Sequence, residues 1–245
     1  MERNQSLHTY IKEELLHRIK TNQYQPGEKI PPELELCKSF NVSRTTVRTA
    51  LNQLTLEGYL LRQQGRGTFV ADKKVNQALS QTIRRYSDQL ADQGKHPEIE
   101  VSDISVVAAN ELLSNQLNVN LQDPIQRIER VRKANGEPTQ YEVAYVPWSV
   151  APGITIEHAG NSLYKSLDEF FDVWIAKTSE NIEIVFADEQ ICKFLECEQG
   201  LPCFYIETSA EDEQGNKVEF SRSFFRGDKT NFSIERSYNK EEPKA

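Results

Sequence analysis

Apolar residues recur at helical spacing in two stretches near the start of the chain. Leu7, Ile11, Leu15 and Ile19 return every four residues, with Leu16 alongside, and predict a first helix over about residues 5–22. In SRTTVRTALNQLTLEGY, residues 43–59, Val47, Ala50, Leu51 and Leu54 form one stripe at i, i+3, i+4, i+7. Ser43 stands where an N-cap hydroxyl is wanted, and Gly58 where a left-handed residue closes a helix. Between the two stretches, Pro26-Gly27 marks a turn and Glu33–Phe40 reads as a short second helix carrying Leu34, Leu36 and Phe40. Asn41-Val42 is a tight turn. A short helix, a turn and a capped helix make a helix-turn-helix.

At 100° per residue, the face of the third helix opposite the stripe holds Thr45, Arg48, Thr49 and Asn52. An ordinary solvated face mixes acids with lysines. Threonines, an amide and an arginine suit phosphates and base edges. Taken alone, the stripe is better read as a plain amphipathic surface helix. The next residues, YLLRQQGRGTFV, place two β-rich runs on either side of Gly65-Arg66-Gly67 and predict a hairpin. Directly after a helix-turn-helix, a hairpin with an arginine at its tip reads as a wing.

Residues 71–81, ADKKVNQALSQ, are polar and without strong periodicity, so the domain boundary is placed there. The expected units are 1–71, a linker at 72–81, and 82–245. The second unit alternates strand and helix patterns. Helices are expected at 83–93, 109–117, 162–171 and 187–195. Strands are expected at 98–108, 125–133, 139–146, 175–185, 202–211 and 218–226. Asn135-Gly136 is a strong hairpin signal. Hairpins with interspersed helices argue for an α+β fold with a mostly antiparallel sheet.

Charge sharpens this division. The chain has 245 residues and a net charge of −8. Residues 1–71 hold ten Lys/Arg against seven Asp/Glu, and the remainder nineteen against thirty. A polyanion would be drawn to the first unit and repelled by most of the second. No apolar run reaches the ~18 residues that span a bilayer, and the N-terminus lacks the pattern of a secretory signal. The expectation is a soluble, cytoplasmic protein without membrane partners. Cys37, Cys192, Cys197 and Cys203 match neither a zinc knuckle nor CxxC, so reduced, packed thiols are expected, with neither metal nor cofactor.

In RIERVRKANGEP, Arg130 and Arg132 stand two apart, which on a strand puts both guanidiniums on one face with Ile128. Two arginines side by side repel unless an anion sits between them. That anion is either a protein carboxylate or a ligand phosphate or carboxylate.

PGEKIPPELELCKSFNVSRTTVRTALNQLTLEGYLLRQQGRGTFV resembles the winged helix-turn-helix of the GntR family of bacterial transcription regulators. Pro32 departs from that pattern, standing where the family has a Ser or Thr cap, which weakens the N-cap of the second helix. The resemblance implies DNA contacts at Ser43, Arg44, Thr45, Thr46 and Arg48, with the wing at Gly65, Arg66, Gly67 and Thr68. Glu33 matches the family's acid at the start of the second helix, placed to hold an arginine or accept from a base. The plain alternatives are an Arg48 ion pair with Glu57 or Glu33, and a Thr46 hydroxyl bonded back to its own helix.

RVRKANGEPTQYEVAYVP, NSLYKSL, CEQGLPCFYIE and EFSRSFFRGDKTNF resemble the signature segments of the HutC-type effector-binding domain called UTRA. This implies a chorismate-lyase-like antiparallel sheet with helices, used for sensing, and assembly into homodimers on near-palindromic operator DNA. It also implies an effector site. Members that sense phosphosugars hold the phosphate with Arg130 and Arg132, and meet sugar hydroxyls with Glu142, Tyr164 and Glu219 beside Ser162. Tyr86 and Ser87 match a segment lining the phosphate end. Phe225 replaces the family's tyrosine and removes one hydroxyl.

The function expected is a sequence-specific DNA-binding regulator, a repressor released by a small anionic effector such as a sugar phosphate. The competing readings are an enzyme of the chorismate-lyase-like fold and a thiol-based redox sensor on DNA. The sequence holds no nucleophile–base constellation to support the first.

Overall fold

The computed structural model describes residues 6–78 and 86–235. Chain contacts divide it into two units, Met1–Lys74 with Gly227–Lys229, and Val75–Arg226 with Thr230–Ala245.

The first unit is three helices and a hairpin: α1 (Leu7–Lys20), α2 (Glu33–Phe40), α3 (Arg44–Leu56), β1 (Leu60–Gln63) and β2 (Gly67–Val70). The α3 stripe is the centre of its core. Val47, Ala50, Leu51 and Leu54 are buried against Ile11 and Leu15 of α1, Leu36 of α2, and Ile30, Leu60 and Val70. Burial of each Val, Leu or Ile side chain among them is worth roughly 1.5–3 kcal/mol. Both ends of α3 are capped. Ser43 Oγ accepts from Thr46 N at 3.2 Å. At the other end Tyr59 N donates to Leu54 O (2.9 Å) and Gly58 N to Thr55 O (3.0 Å), with Gly58 at φ +73°, a Schellman closure. By contrast, α2 begins after Pro32 with no side-chain cap.

The second unit is built on a six-stranded antiparallel sheet ordered β4-β5-β6-β9-β8-β7. Its strands are β4 (Pro97–Ala108), β5 (Pro124–Ala134), β6 (Glu137–Pro147), β7 (Lys177–Phe186), β8 (Pro202–Glu211) and β9 (Lys217–Arg226). Asn135 (φ +54°) and Gly136 (φ +78°) form the turn between β5 and β6, both in the left-handed region a two-residue hairpin requires. Helices cover both faces. On one, α6 (Ile156–Ala159) and α7 (Leu163–Phe171) supply Ala159, Leu163 and Leu167 against Ile128, Ala144 and Val146. On the other, α5 (Glu111–Leu117) packs Leu113 and Leu117 near Phe220, and α8 (Glu189–Leu195) packs Ile191 and Leu195 near Val131, Tyr141 and Val143.

The segment expected to be linker contains structure. Val75–Ala78 is strand β3, paired in parallel with β10 (Thr230–Ser233). Four residues are too few to show a period, and the partner strand lies at the far end of the chain. Linker residues 79–81 and the first expected residues of the following helix, 83–85, lie outside the described residues; α4 is described over Tyr86–Ala91. No described helix is long and apolar enough to cross a membrane.

Candidate functional site

The exposed face of α3 carries a cluster of cations gathered on one acid. Glu33, at the start of α2, accepts from Arg44 Nε at 3.0 Å and from Arg48 Nη2 at 3.3 Å. Arg62 of β1 approaches the same carboxylate at 3.9 Å. The Arg48 hydrogen bond, followed by that from Arg44, holds the Glu33 carboxyl below its ordinary range despite partial burial. Three guanidiniums thus share one carboxylate while Arg44 and Arg48 remain exposed. An incoming phosphate finds them ordered and under-neutralised.

Thr45 is exposed on the same face, and the Thr46 hydroxyl pairs with Ser43 Oγ at 2.7 Å. It is Thr49, not Thr46, that bonds back to its own helix, at Thr45 O. At the hairpin tip Arg66 is exposed between Gly65 (φ +73°) and Gly67 (φ +120°). The positive φ at Gly67 calls for glycine; a Cβ there would meet only the flexible end of Lys29, Cε at 2.6 Å, which can move aside. Thr68 is half-buried, its carbonyl accepting from Ile30 N.

The second site is a cavity of about 810 Å³ in the C-terminal unit. It lies on the α6/α7 face of the sheet, where register sets the rows. Arg130 stands opposite Glu142, which stands opposite Ser223; Arg132 stands opposite Gln140, which stands opposite Phe225. Arg130 is buried, bonded to Glu142 Oε1 and donating from Nη1 to Ala159 O at 3.1 Å. Arg132 donates to Glu142 Oε2 at 2.9 Å, and Gln140 Nε2 donates to the same oxygen at 3.2 Å. The Tyr86 ring lies 5.4 Å from the Arg132 guanidinium. Its hydroxyl bonds Lys133 O and Thr139 Oγ1. Tyr164 of α7 donates its hydroxyl to Glu219 Oε2 at 3.1 Å.

Electrostatics separate the two ends of the cavity. Burial disfavours the Glu142 charge, yet Arg130 and Arg132 outweigh it and the carboxyl lies below its ordinary range. Burial, then the like charge of Arg130, lower Arg132 against the pull of Glu142. Among the described residues, the buried Nε atoms of both arginines have no hydrogen-bond partner. Two guanidiniums against one carboxylate leave this end with an excess positive charge. At the other end burial, then the charge of Glu142, push the Glu219 carboxyl up to about 7.

Eight of the nine effector candidates line this cavity: Tyr86, Arg130, Arg132, Glu142, Ser162, Tyr164, Glu219 and Phe225. Ser87 lies beside Tyr86 on α4 and is not part of the lining. Ser162 is engaged as the α7 N-cap, accepting from Lys165 N. The lining also includes Gln140, Ser221, Ser223, Thr208 and Trp174, which were not singled out from sequence. Period-two counting from Glu142 and Glu219 reaches Gln140, Ser221 and Ser223.

The comparisons with known proteins follow this division. The model of the family of bacterial regulatory proteins, gntR family, matches residues 7–70, and that of the UTRA domain matches residues 92–231. The chain belongs to the GntR family. It is a transcriptional repressor of the HutC type, with a winged helix-turn-helix and a UTRA domain. It is 33% identical over 233 residues to the probable fructoselysine utilization operon transcriptional repressor of Escherichia coli K12, covering 95% of each chain. It is 31% identical over 222 residues to the HTH-type transcriptional repressor NagR of Bacillus subtilis 168, covering 91% of each. Among solved structures, PhnF from Mycobacterium smegmatis superposes with a TM-score of 0.67 at 26% identity, over 94% of this chain and 100% of that one. The relatives of this GntR chain are regulators rather than enzymes, which removes the lyase reading of the sheet.

Cys192, Cys197 and Cys203 lie with the α8 core, on the opposite face of the sheet from the cavity. Cys192 and Cys197 Sγ are 3.7 Å apart, and burial, then the hydrogen bond with Cys192, push the Cys197 thiol up to about 12. A thiol held protonated is a poor nucleophile and a poor oxidant target.

Proposed function

We propose that this repressor grips operator DNA through α3 and the β1–β2 wing, and releases it when a small anionic effector occupies the UTRA cavity. The observation that carries the effector half is the buried array of Arg130, Glu142 and Arg132 lining the cavity: two cations on one acid, with both Nε atoms buried and, among the described residues, unpartnered. A phosphate or carboxylate supplies the missing charge and acceptors. The rest of the lining suits a polyhydroxylated body. Gln140, Ser223, Tyr164 and Glu219 offer donors and acceptors, and the exposed Trp174 offers an aromatic face at the mouth. A phosphorylated sugar or sugar derivative fits this chemistry, in keeping with the fructoselysine operon named for one relative.

For the DNA half, Arg44, Thr45 and Arg48 on α3 would reach base edges and phosphates of the major groove. Arg66 of the wing would reach the backbone or the minor groove. Ser43, Thr46, Gly65, Gly67 and Thr68 shape these elements, while Glu33 aligns the arginines. A homodimer would set two α3 helices on the half-sites of a near-palindrome. The β7 edge of the sheet supports such assembly. It carries exposed Ile184 and Phe186 on a strand edge that is unpaired among the described residues, a surface that calls for cover. The effector acts by binding one arrangement of the dimer more tightly than the DNA-competent one.

The test is release of an operator, selected in vitro from random duplexes, by a panel of sugar phosphates and organic acids. Thermal shift of the full chain identifies the binder. An effector that raises the melting temperature and lowers operator affinity supports the proposal. A ligand that binds with no effect on operator affinity refutes it.

A further inference from the structure

The loop between β9 and β10 belongs to the N-terminal unit. The chain leaves the C-terminal unit after Arg226, contributes Gly227–Lys229 to the N-terminal unit, and returns to the C-terminal unit at Thr230. Within the N-terminal unit this loop is seated on the end of α3. A Cβ at Gly58 would collide with the Asp228 backbone, its Cα at 2.7 Å and its carbonyl closer still. Backbone cannot swing aside as the tip of a side chain does, so only glycine lets the loop lie there. Gly58 is also the residue whose φ of +73° closes the helix. Lys74 fixes the loop a second time. Its Nζ donates to Gly227 O at 2.7 Å and lies 5.3 Å from the centroid of the Tyr59 ring. Burial lowers the Lys74 ammonium below its ordinary range, against the pull of the Asp228 and Glu57 charges.

In the C-terminal unit the strands that carry this loop run into the effector cavity. Phe225 of β9 and Phe232 of β10 both line it, their rings edge to face with centroids 5.1 Å apart. Gln77 of β3, which follows Lys74 in the chain, lines it too and stands opposite Phe232 in the β3–β10 pair. Only a few residues of extended chain therefore separate the cavity wall from the docked loop and from the lysine that holds it. We propose that Gly58 and Lys74 are positioning residues for repression: they seat the Gly227–Lys229 loop on the end of α3, so that a shift of β9 and β10 at the cavity is passed to the DNA-reading helix. The inference rests on the effector-release reading above and gives it a route. A loop packed backbone on backbone is docked or undocked rather than continuously deformable, which is the two-state element that coupling requires. Such coupling is reciprocal, so DNA on α3 must also be felt at β9 and β10.

Hydrogen exchange read by mass spectrometry tests this on the full-length chain, free and bound to an operator duplex selected in vitro from random sequences. Peptides covering residues 224–233 should exchange at rates that differ roughly threefold or more between the two states. Two variants cut the route while leaving the exposed face of α3 and the cavity lining in place. One inserts a Gly-Gly pair between Asp228 and Lys229; the other is Lys74→Met, which keeps the bulk and removes the ammonium. Both should still bind operator, and both should lose the difference at 224–233. Circular dichroism shows whether each variant folds; if only one does, it decides, and if neither does, the wild-type comparison decides alone. No difference in wild type would overturn the inference, as would a difference that persists in a folded variant. Loss of operator binding in both folded variants would overturn it too, since the contact would then serve binding itself. Because no effector is used, a failed effector search and a failed route are told apart.

Discussion

Replacing Glu219 by glutamine should remove a pH dependence from the stability of the C-terminal unit. The folded carboxyl titrates at about 7, against an ordinary 4.5. Between these values the native state holds a proton that the unfolded chain has lost, so stability falls as pH rises through the window and stays lost above it. A gap of about 2.5 units at 1.36 kcal/mol each gives about 3 kcal/mol. The amide in Glu219→Gln does not titrate, and the groups that face Glu219 do not mimic it. Glu142 is displaced downward, and Tyr164 upward from an already high value.

Both tryptophans, Trp148 and Trp174, belong to the C-terminal unit, so their fluorescence reports its unfolding alone. Urea melts at pH 5 and pH 8 should show the variant gaining about 2.5 kcal/mol relative to wild type, since part of the full effect lies below pH 5, a midpoint change on the order of 1–2 M. A difference that is flat across this range would refute the buried, counter-ion-free placement of Glu219.

Three other expectations concern the rest of the molecule. Leu51→Ala removes a fully buried side chain from the centre of the N-terminal core; it should cost about 2–5 kcal/mol in a denaturant melt and weaken DNA binding through partial unfolding. Arg48→Ala should weaken operator binding and reduce the slope of log affinity against log salt by about 1 if the guanidinium neutralises a phosphate, as a salt titration would show. Cys197, its thiol pushed up to about 12, should resist alkylation at pH 8 in the folded chain and react on unfolding, measured by mass spectrometry.

Local signals made the N-terminal unit readable. Val47, Ala50, Leu51 and Leu54 announced α3, and Ser43 and Gly58 announced its ends, because caps and stripes are short-range features. The same holds for the β5–β6 hairpin at Asn135-Gly136, where two left-handed residues are written in the sequence. The facing of Arg130 and Arg132 followed from a period of two. What stayed hidden depends on distant partners. Strand β3 exists because β10, about 150 residues later, pairs with it. The sharing of Glu33 by Arg44, Arg48 and Arg62 requires α2, α3 and β1 to meet. Glu142 sits directly across from Arg130 only through the strand register, so spacing alone left open whether the arginines served a carboxylate or a ligand. The structure answers with both a bound acid and a surplus of charge.

The central claim is that occupancy around Arg130 and Arg132 controls the grip of α3 on DNA. The most direct test titrates an effector found by thermal shift into operator complexes of wild type and Arg132→Ala, read by fluorescence anisotropy. Arg132 is the more accessible of the two arginines, so its removal spares the buried Arg130–Glu142 pair. The account predicts that wild type releases DNA as effector rises, while Arg132→Ala stays bound at concentrations that empty the wild-type operator. Release of both proteins at the same effector concentration would contradict it.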